Sequence, residues 1–461
     1  MTQVLARPEE SVRALGPRFS GVLLIPGDDG YENARKIHNG LIDKRPAVIA
    51  RCRGTADVVD ALTFAKENRL EVSVRGGGHN VAGRAVCEGG VMIDLSLMKG
   101  IHVDPKARTA RAQGGVTWRE LNRETALYGL ATTGGVISTT GVAGLTLGGG
   151  IGWLMAKHGL AVDNLLSAEI VTAKGEVLTA SADQNSDLFW AIRGGGGNFG
   201  IATSLEFRLH PLREVFGGIV AHPFPVAKEA LRFYRDFTRS FGDEFTVDAG
   251  LTHAPDGSGT PLAAFIICHY GPPDRARADL RPLLEYGSPA IVQVGPMPYP
   301  AMNMILDNGF PPGALNYWKS SFVRDLDDGV IDVMVDRFAV CPSPMSGMVI
   351  EPYHGAVTRV SVSSTAVPHR ERGYNLLIVS EWLDPTTNDR NIAWGRDTYA
   401  ALTPYFAARR YVNYLDADER ADAVGEAYGG NFPRLRELKR KYDPENIFHL
   451  NQNIAPAGAS A

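Results

Sequence analysis

The sequence predicts an α+β protein built from a glycine-clustered first part to about residue 210, a proline-richer α+β part over 211–410 and a closing segment over 411–461. Three observations carry this. A β-α-β-loop-β pattern runs from Arg45 to Leu95. Three glycine fields crowd the first 200 residues, while past Pro211 such clusters vanish. After Pro211, helical periodicities alternate with short apolar runs.

The elements read as follows. Gly30 to Leu41 has a helical pattern. Arg45 to Cys52 reads as a strand, and Thr55 as the N-cap of a helix over Ala56–Asn68, with Val58, Val59, Leu62 and Ala65 at helical spacing. Glu71–Val74 is the next strand. It runs into the bare loop Arg75-Gly76-Gly77-Gly78-His79-Asn80, whose peptide N–H groups can approach an anion such as a phosphate. Val91–Leu95 is another strand. Ile101–Ala112 reads as a hairpin around Asp104-Pro105. Thr117 caps a helix to Tyr128 that turns Leu121 and Leu127 inward.

The second glycine field, Thr132 to Trp153, is too apolar for a linker and too glycine-rich for a regular helix. A backbone packed against a flat ligand accounts for both. Strands over 166–172 and 177–179 join at Lys174-Gly175. The third field, Trp190 to Ile201, leads into a strand over 202–209. In the second part, helices fit 227–238, 273–285 and 388–408, and strands fit 261–270, 347–351 and 376–382. Tyr411-Val412-Asn413-Tyr414 alternates as a strand would, setting Tyr411 and Asn413 on one face and Tyr414 on the other. A helix follows to about Tyr442.

Composition narrows the function. At 461 residues the chain expects two or three domains. A net charge of −4 offers no field for nucleic acid, and no Lys/Arg run suggests a membrane surface. Met1–Glu10 lacks an apolar signal core, and no apolar run is long enough to span a bilayer, so a cytoplasmic protein is expected. Cys52, Cys87, Cys268 and Cys341 form no CxxC pair and read as buried free thiols. No His/Asp/Glu cluster suggests a metal. No GxGxxG opens a helix with an acid some 20 residues on, which disfavours a nicotinamide fold.

Five stretches together carry a family likeness: Arg75-Gly76-Gly77-Gly78-His79; Gly144 with Gly148-Gly149-Gly150; Arg193 to Gly200; Tyr411-Val412-Asn413-Tyr414; and Tyr442-Asp443-Pro444-Glu445-Asn446. Their order and spacing resemble the berberine-bridge-enzyme branch of the vanillyl-alcohol-oxidase superfamily, nearest its compact bacterial members. The resemblance implies a two-part FAD-binding domain of the PCMH type (1–210 and 411–461) and a central α+β substrate domain with an antiparallel sheet (211–410). It implies FAD joined to His79 through the flavin 8α carbon. Many members add a cysteine bond just before the Gly141-like position. Here Ile137 stands nearest that place, so one covalent link is expected, and a carbohydrate-oxidase reading is weakened.

The expected cofactor contacts follow the motifs. Val74, Arg75, Gly76, Gly77, Gly78, Asn80 and Gly83 form the first loop, with Arg75 balancing flavin or phosphate charge unless it makes a surface ion pair. Val136, Thr139, Thr140, Gly141, Gly144, Leu147, Gly148, Gly149, Gly150 and Trp153 come from the second field, Gly148–Gly150 offering N–H groups to the diphosphate. Gly200 and Ile201 follow from the third, and Tyr411 and Asn413 from near the C-terminus. His79, as neutral imidazole, is a competent nucleophile toward a flavin methyl tautomer.

For catalysis the resemblance points to Tyr414 as base, which requires a phenol with a lowered pKa. Glu351 is a second candidate, on a strand that roofs the flavin; Trp318 and His354 are candidate pocket residues. Each has a plain structural alternative: a buried tyrosine for Tyr414, a solvated strand end for Glu351 and His354, a core tryptophan for Trp318. The expected activity is oxidation of a small alcohol, amine or phenolic metabolite, with O2 reoxidising the flavin to give H2O2. A sugar or oligosaccharide oxidase or dehydrogenase is the enzymatic alternative, and a flavin-bound coat or binding protein the non-catalytic one. Substrate identity and oligomeric state stay open.

Overall fold

A computed structural model describes residues 12, 15–420 and 422–458. The stretch Met1–Glu10 lies outside the described residues. Three sheets organise the chain. The first has four strands in the order Val22–Leu24, Val48–Arg51, Val91–Asp94, Val72–Arg75, its last three parallel. The helix Thr55–Glu67 makes the crossover between Val48–Arg51 and Val72–Arg75. It buries Val58, Leu62 and Ala65 against the sheet as their spacing requires.

The second sheet is antiparallel, in the order Ile101–Asp104, Thr109–Gln113, Ile201–Arg208, Leu165–Val171, Val177–Ser181. Residues from its core, such as Trp118 and Phe199, pack with Val412, Leu415, Tyr428 and Leu435. The C-terminal segment thus returns to the first part of the chain.

The third sheet has seven antiparallel strands: Ile291–Pro298, Glu214–Pro223, Pro261–His269, Phe245–His253, Gly347–Tyr353, Gly373–Trp382, Leu315–Val323. Helices Ala227–Thr238, Pro273–Leu284, Asp328–Phe338 and Asn388–Leu402 share a hydrophobic core with it. No described helix is long and apolar enough to cross a membrane.

Several elements differ from the sequence reading. The helix expected over 30–41 is only Tyr31–Ala34. Beyond it the His38 N–H donates to the Gly78 carbonyl and the Asn39 amide to Val81 and Asn316, so these groups serve the glycine loop. Thr55 is the first helical residue rather than the cap, and its hydroxyl donates to Glu169. Leu127 is 71% exposed, not inward. Val142–Leu147 is helical despite Gly144, because burial of Val142, Ala143, Thr146 and Leu147 outweighs a weak propensity. The helix from Asn388 ends at Leu402, where Thr403-Pro404 turns the chain. Val412–Tyr414 is a 3-10 turn, so Tyr414 folds back onto Tyr411 with ring centroids 4.9 Å apart. The last helix is split at Gly429 (φ 46°) into Ala423–Tyr428 and Phe432–Tyr442. Cys341 is half-buried, whereas the other three thiols are buried.

Candidate active site

One cavity of about 840 Å3 runs from the glycine loops to the seven-stranded sheet. At one end lies the turn that follows Val72–Arg75. Gly77 must be glycine: a Cβ there would sit 2.4 Å from the Gly141 nitrogen, so the first and second glycine fields touch backbone to backbone. Among the described residues, the backbone N–H groups from Gly76 to Asn80 donate to no other part of the chain. They form a run of free donors on the cavity, as an anion cradle requires.

His79 lines this end. Its ring stacks on His38 with centroids 3.8 Å apart, and Nε2 lies 3.1 Å from the Thr139 hydroxyl. Burial, and then the neighbouring His38, hold His79 far below the ordinary imidazole pKa, so it is neutral. Val74, Gly76, Gly77, Gly78, Asn80, Val136, Thr140, Gly141, Gly144, Leu147, Gly200 and Ile201 also line the cavity. Ile137 stands in the same wall. A Cβ on Gly144 would meet no atom within 4 Å, so the helix carrying it presents bare backbone to open space.

Other expected contacts fall elsewhere. Arg75 does not reach the cavity. Its guanidinium is spent on Asp94 (2.9 Å from Nε to Oδ1) and on the carbonyls of Ala34 and Lys36, which is the ion-pair alternative. Gly148, Gly149 and Gly150 do not line it either, and their N–H groups donate to Leu145, Thr146 and Tyr411. The Tyr411 hydroxyl accepts from Gly150 and Ile151, and Asn413 Nδ2 donates to it and to the Leu145 carbonyl. Gly148 has no room for a Cβ, which would stand 1.9 Å from Asn413 Oδ1. The Tyr411–Asn413 pair therefore braces the second field from behind, with Asn413 alone of the two also facing the cavity. Gly83 (φ 71°) makes a turn against Ile42, and Trp153 is a fully buried core residue packed with Tyr299 and Met302. His354 lies off the cavity against Phe241, and burial brings its pKa to about 4.

Four side chains that sequence reasoning did not single out do face the cavity: Arg84, Asn198, Gln452 and Asp248. Arg84 is its one arginine or lysine among the described residues. Its Nε is buried without a partner and its Nη1 makes only a 3.4 Å contact with the Leu450 carbonyl. Five residues after the loop histidine, it is the cation available to a diphosphate. Asn198 and Gln452 line the same end, tied together by a 3.0 Å bond from the Asn198 side chain to the Gln452 carbonyl. Asp248 lies at the other end.

That other end is the sheet. Its register sets Ile219, Ile266, Asp248, Glu351 and Asn375 in one row across the strands. The next row on the same face is Ala221, Ala264, Gly250, Val349 and Leu377. The small residues leave space, and this second row is apolar. Glu351 is 1% exposed and accepts from Asn375 Nδ2 at 2.6 Å and from the Tyr414 hydroxyl at 3.0 Å. Burial raises its carboxyl to about 7. Tyr414 is pushed well above 10, first by burial and then by Glu351. The lowered phenol pKa expected for Tyr414 is absent, because no cation stands near it. Trp318 lines the cavity edge-on to Tyr414 and donates its indole N–H to Asn316.

Comparison with known proteins agrees with this geometry. Residues 46–181 match the family described as "FAD binding domain", and residues 410–455 match "Berberine and berberine like". The chain is 32% identical to (R)-6-hydroxynicotine oxidase of Paenarthrobacter nicotinovorans, over 96% of this chain and 98% of that protein. It is 29% identical to tetrahydroberberine oxidase of Berberis wilsoniae, covering 89% of this chain and 86% of that one. Among solved structures it is similar to 6-hydroxy-D-nicotine oxidase from Arthrobacter nicotinovorans, with a TM-score of 0.86 at 30% identity over 95% of this chain and 98% of that one. The xylooligosaccharide oxidase of Myceliophthora thermophila shares the fold, with a TM-score of 0.83 at 23% identity over 98% of this chain and all of that one. The glycine-loop cradle, the bare wall at Gly144 and Arg84 with its free Nε fit a flavin dinucleotide, and the chain belongs to the FAD-linked oxidoreductases of the berberine-bridge-enzyme branch of the vanillyl-alcohol-oxidase superfamily.

Proposed function

We propose that this enzyme is an oxidase of a small, largely apolar metabolite, with FAD attached through His79 alone and O2 as the final acceptor. The observation that carries the reading is the single cavity joining His79 and the free N–H groups of the first loop to Glu351 and Tyr414. FAD supplies the hydride acceptor when bound. The Gly76–Asn80 N–H groups and Arg84 hold its diphosphate, and Asn413 and the Gly141–Leu147 segment support its ring. His79 is a neutral nucleophile whose Nε2 is engaged with Thr139. With Ile137 in place of a second nucleophile, no further bond to the flavin forms on that side.

Glu351 is the proton acceptor. Its carboxyl is poised near neutrality, and the Tyr414 O–H and the Asn375 amide hold it in one orientation. The apolar row of Ala221, Ala264, Gly250, Val349 and Leu377 favours a hydrophobic substrate over a sugar. Anaerobic mixing of purified enzyme with panels of amines, alcohols, phenols and sugars tests this. Bleaching of the flavin absorbance by a non-sugar substrate, then recovery with peroxide on admitting air, is the expected result. Turnover on sugars alone overturns the substrate preference, and a flavin that no panel bleaches favours a binding protein.

A further inference from the structure

Among the described residues, the cavity holds two carboxyl groups and no cation beside them. The pairing of Ala249 with Ile350, continued by one residue, sets Asp248 directly across from Glu351. Such cross-strand neighbours stand roughly 5 Å apart at Cβ. Asn375 follows in the same row, opposite Glu351. Asp248 is 4% exposed, lines the cavity, and has its Oδ1 without a hydrogen-bond partner. The Asn375 Oδ1 is buried and unpartnered as well. Arg84 belongs to the glycine-loop end.

We propose that Asp248 and Glu351 form the recognition site for the basic nitrogen of an apolar amine, taken up as its ammonium ion. This rests on the reading of the cavity as a substrate chamber and names the substrate class it admits. Two facing buried carboxyls cannot both ionise without a counter-charge. Burial raises both, and the charge of Glu351 further raises Asp248. The other titratable groups acting on the pair, Tyr414, Tyr411, Tyr234 and Cys268, are themselves pushed up by burial and stay neutral. An ammonium ion lets both carboxyls ionise and offers several N–H donors, one of them to the free Oδ1 of Asp248. A neutral alcohol supplies one donor and no charge. A carboxylate meets like charge.

The test is equilibrium binding to the flavin-loaded enzyme, held anaerobic. Probes are matched sets on one skeleton, for example 4-phenylbutylamine, 4-phenylbutanol and 4-phenylbutyrate, extended over aryl and alicyclic frames. Some amine is expected to bind at least about tenfold tighter than its matched alcohol, with the carboxylate weakest. Asp248→Asn and Glu351→Gln, each with normal flavin content, are expected to cut that preference to about threefold or less. The inference fails if no amine exceeds its alcohol, or if both variants keep the full preference. Should one variant not fold, the other decides. Amine preference without turnover would leave this inference standing and sink the oxidase reading. Turnover of alcohols with no amine preference would do the reverse.

Discussion

The Tyr414 hydroxyl donates to Oε1 of Glu351 at 3.0 Å, and this contact assigns opposite roles to the two side chains. The phenol is a donor held protonated by its carboxylate neighbour. The carboxyl, raised by burial yet steadied by two donors, titrates near neutrality.

Replacing Glu351 by Gln should lower kcat by about 10²–10⁴-fold while the flavin stays attached, the range for loss of a general base. Tyr414→Phe should act differently. The Tyr414 hydrogen bond lowers the Glu351 pKa, so its removal should move the limb of the kcat/KM profile, which rises through about 7 in the parent, to higher pH. Steady-state kinetics across pH 5–9 separate the two. An unshifted limb in Tyr414→Phe contradicts the assignment.

Glu351 also predicts a stability trend. Its folded pKa lies above the unfolded value, so its penalty is absent below about pH 4.5, grows as pH rises and levels off above about 7. Glu351→Gln should therefore match the parent in Tm near pH 4.5 and exceed it at pH 8. The gain is on the order of 3 kcal/mol at most. Thermal melts at the two pH values measure it.

Arg84 should matter to cofactor affinity. In a His79→Ala background, where flavin binding is reversible, Arg84→Met should weaken FAD by about 10–100-fold, the worth of a charged hydrogen bond. Fluorescence titration reads the affinity. Arg75→Met should instead lower stability, because that side chain is bound to Asp94, Ala34 and Lys36.

Gly144 offers a test of the bare wall. Gly144→Leu places a side chain where a Cβ meets nothing within 4 Å, so the apoprotein should melt within a few degrees of the parent and fail to take up FAD. Gly77→Ala should unsettle the fold itself, since its Cβ would collide with the backbone of Gly141.

Much of the site was legible because glycine is hard to disguise. A run such as Gly76-Gly77-Gly78 after a strand has few other uses, and its histidine stands out. Local pattern also marked Ala227–Thr238 to the residue, as its apolar face is regular. What stayed hidden depends on long-range pairing. Leu315–Val323 is buried at all nine positions and carries Asn, Lys and Ser, so alternation never signals a strand. Asp248 becomes informative only when the sheet places it beside Glu351, 103 residues later in the sequence. Gly148–Gly150 resembled a phosphate cradle because glycine spacing does not reveal which N–H groups are already taken. Tyr411–Tyr414 misled for a related reason: four residues fit a strand or a 3-10 turn equally well.

The proposed covalent bond at His79 is the point on which the cofactor chemistry turns. The most direct measurement is intact mass of the purified protein after acid denaturation, for the parent and for His79→Ala. The parent should carry the added mass of one FAD and the variant the bare polypeptide mass. A parent that releases its flavin in acid, or a variant that keeps it, would contradict the assignment.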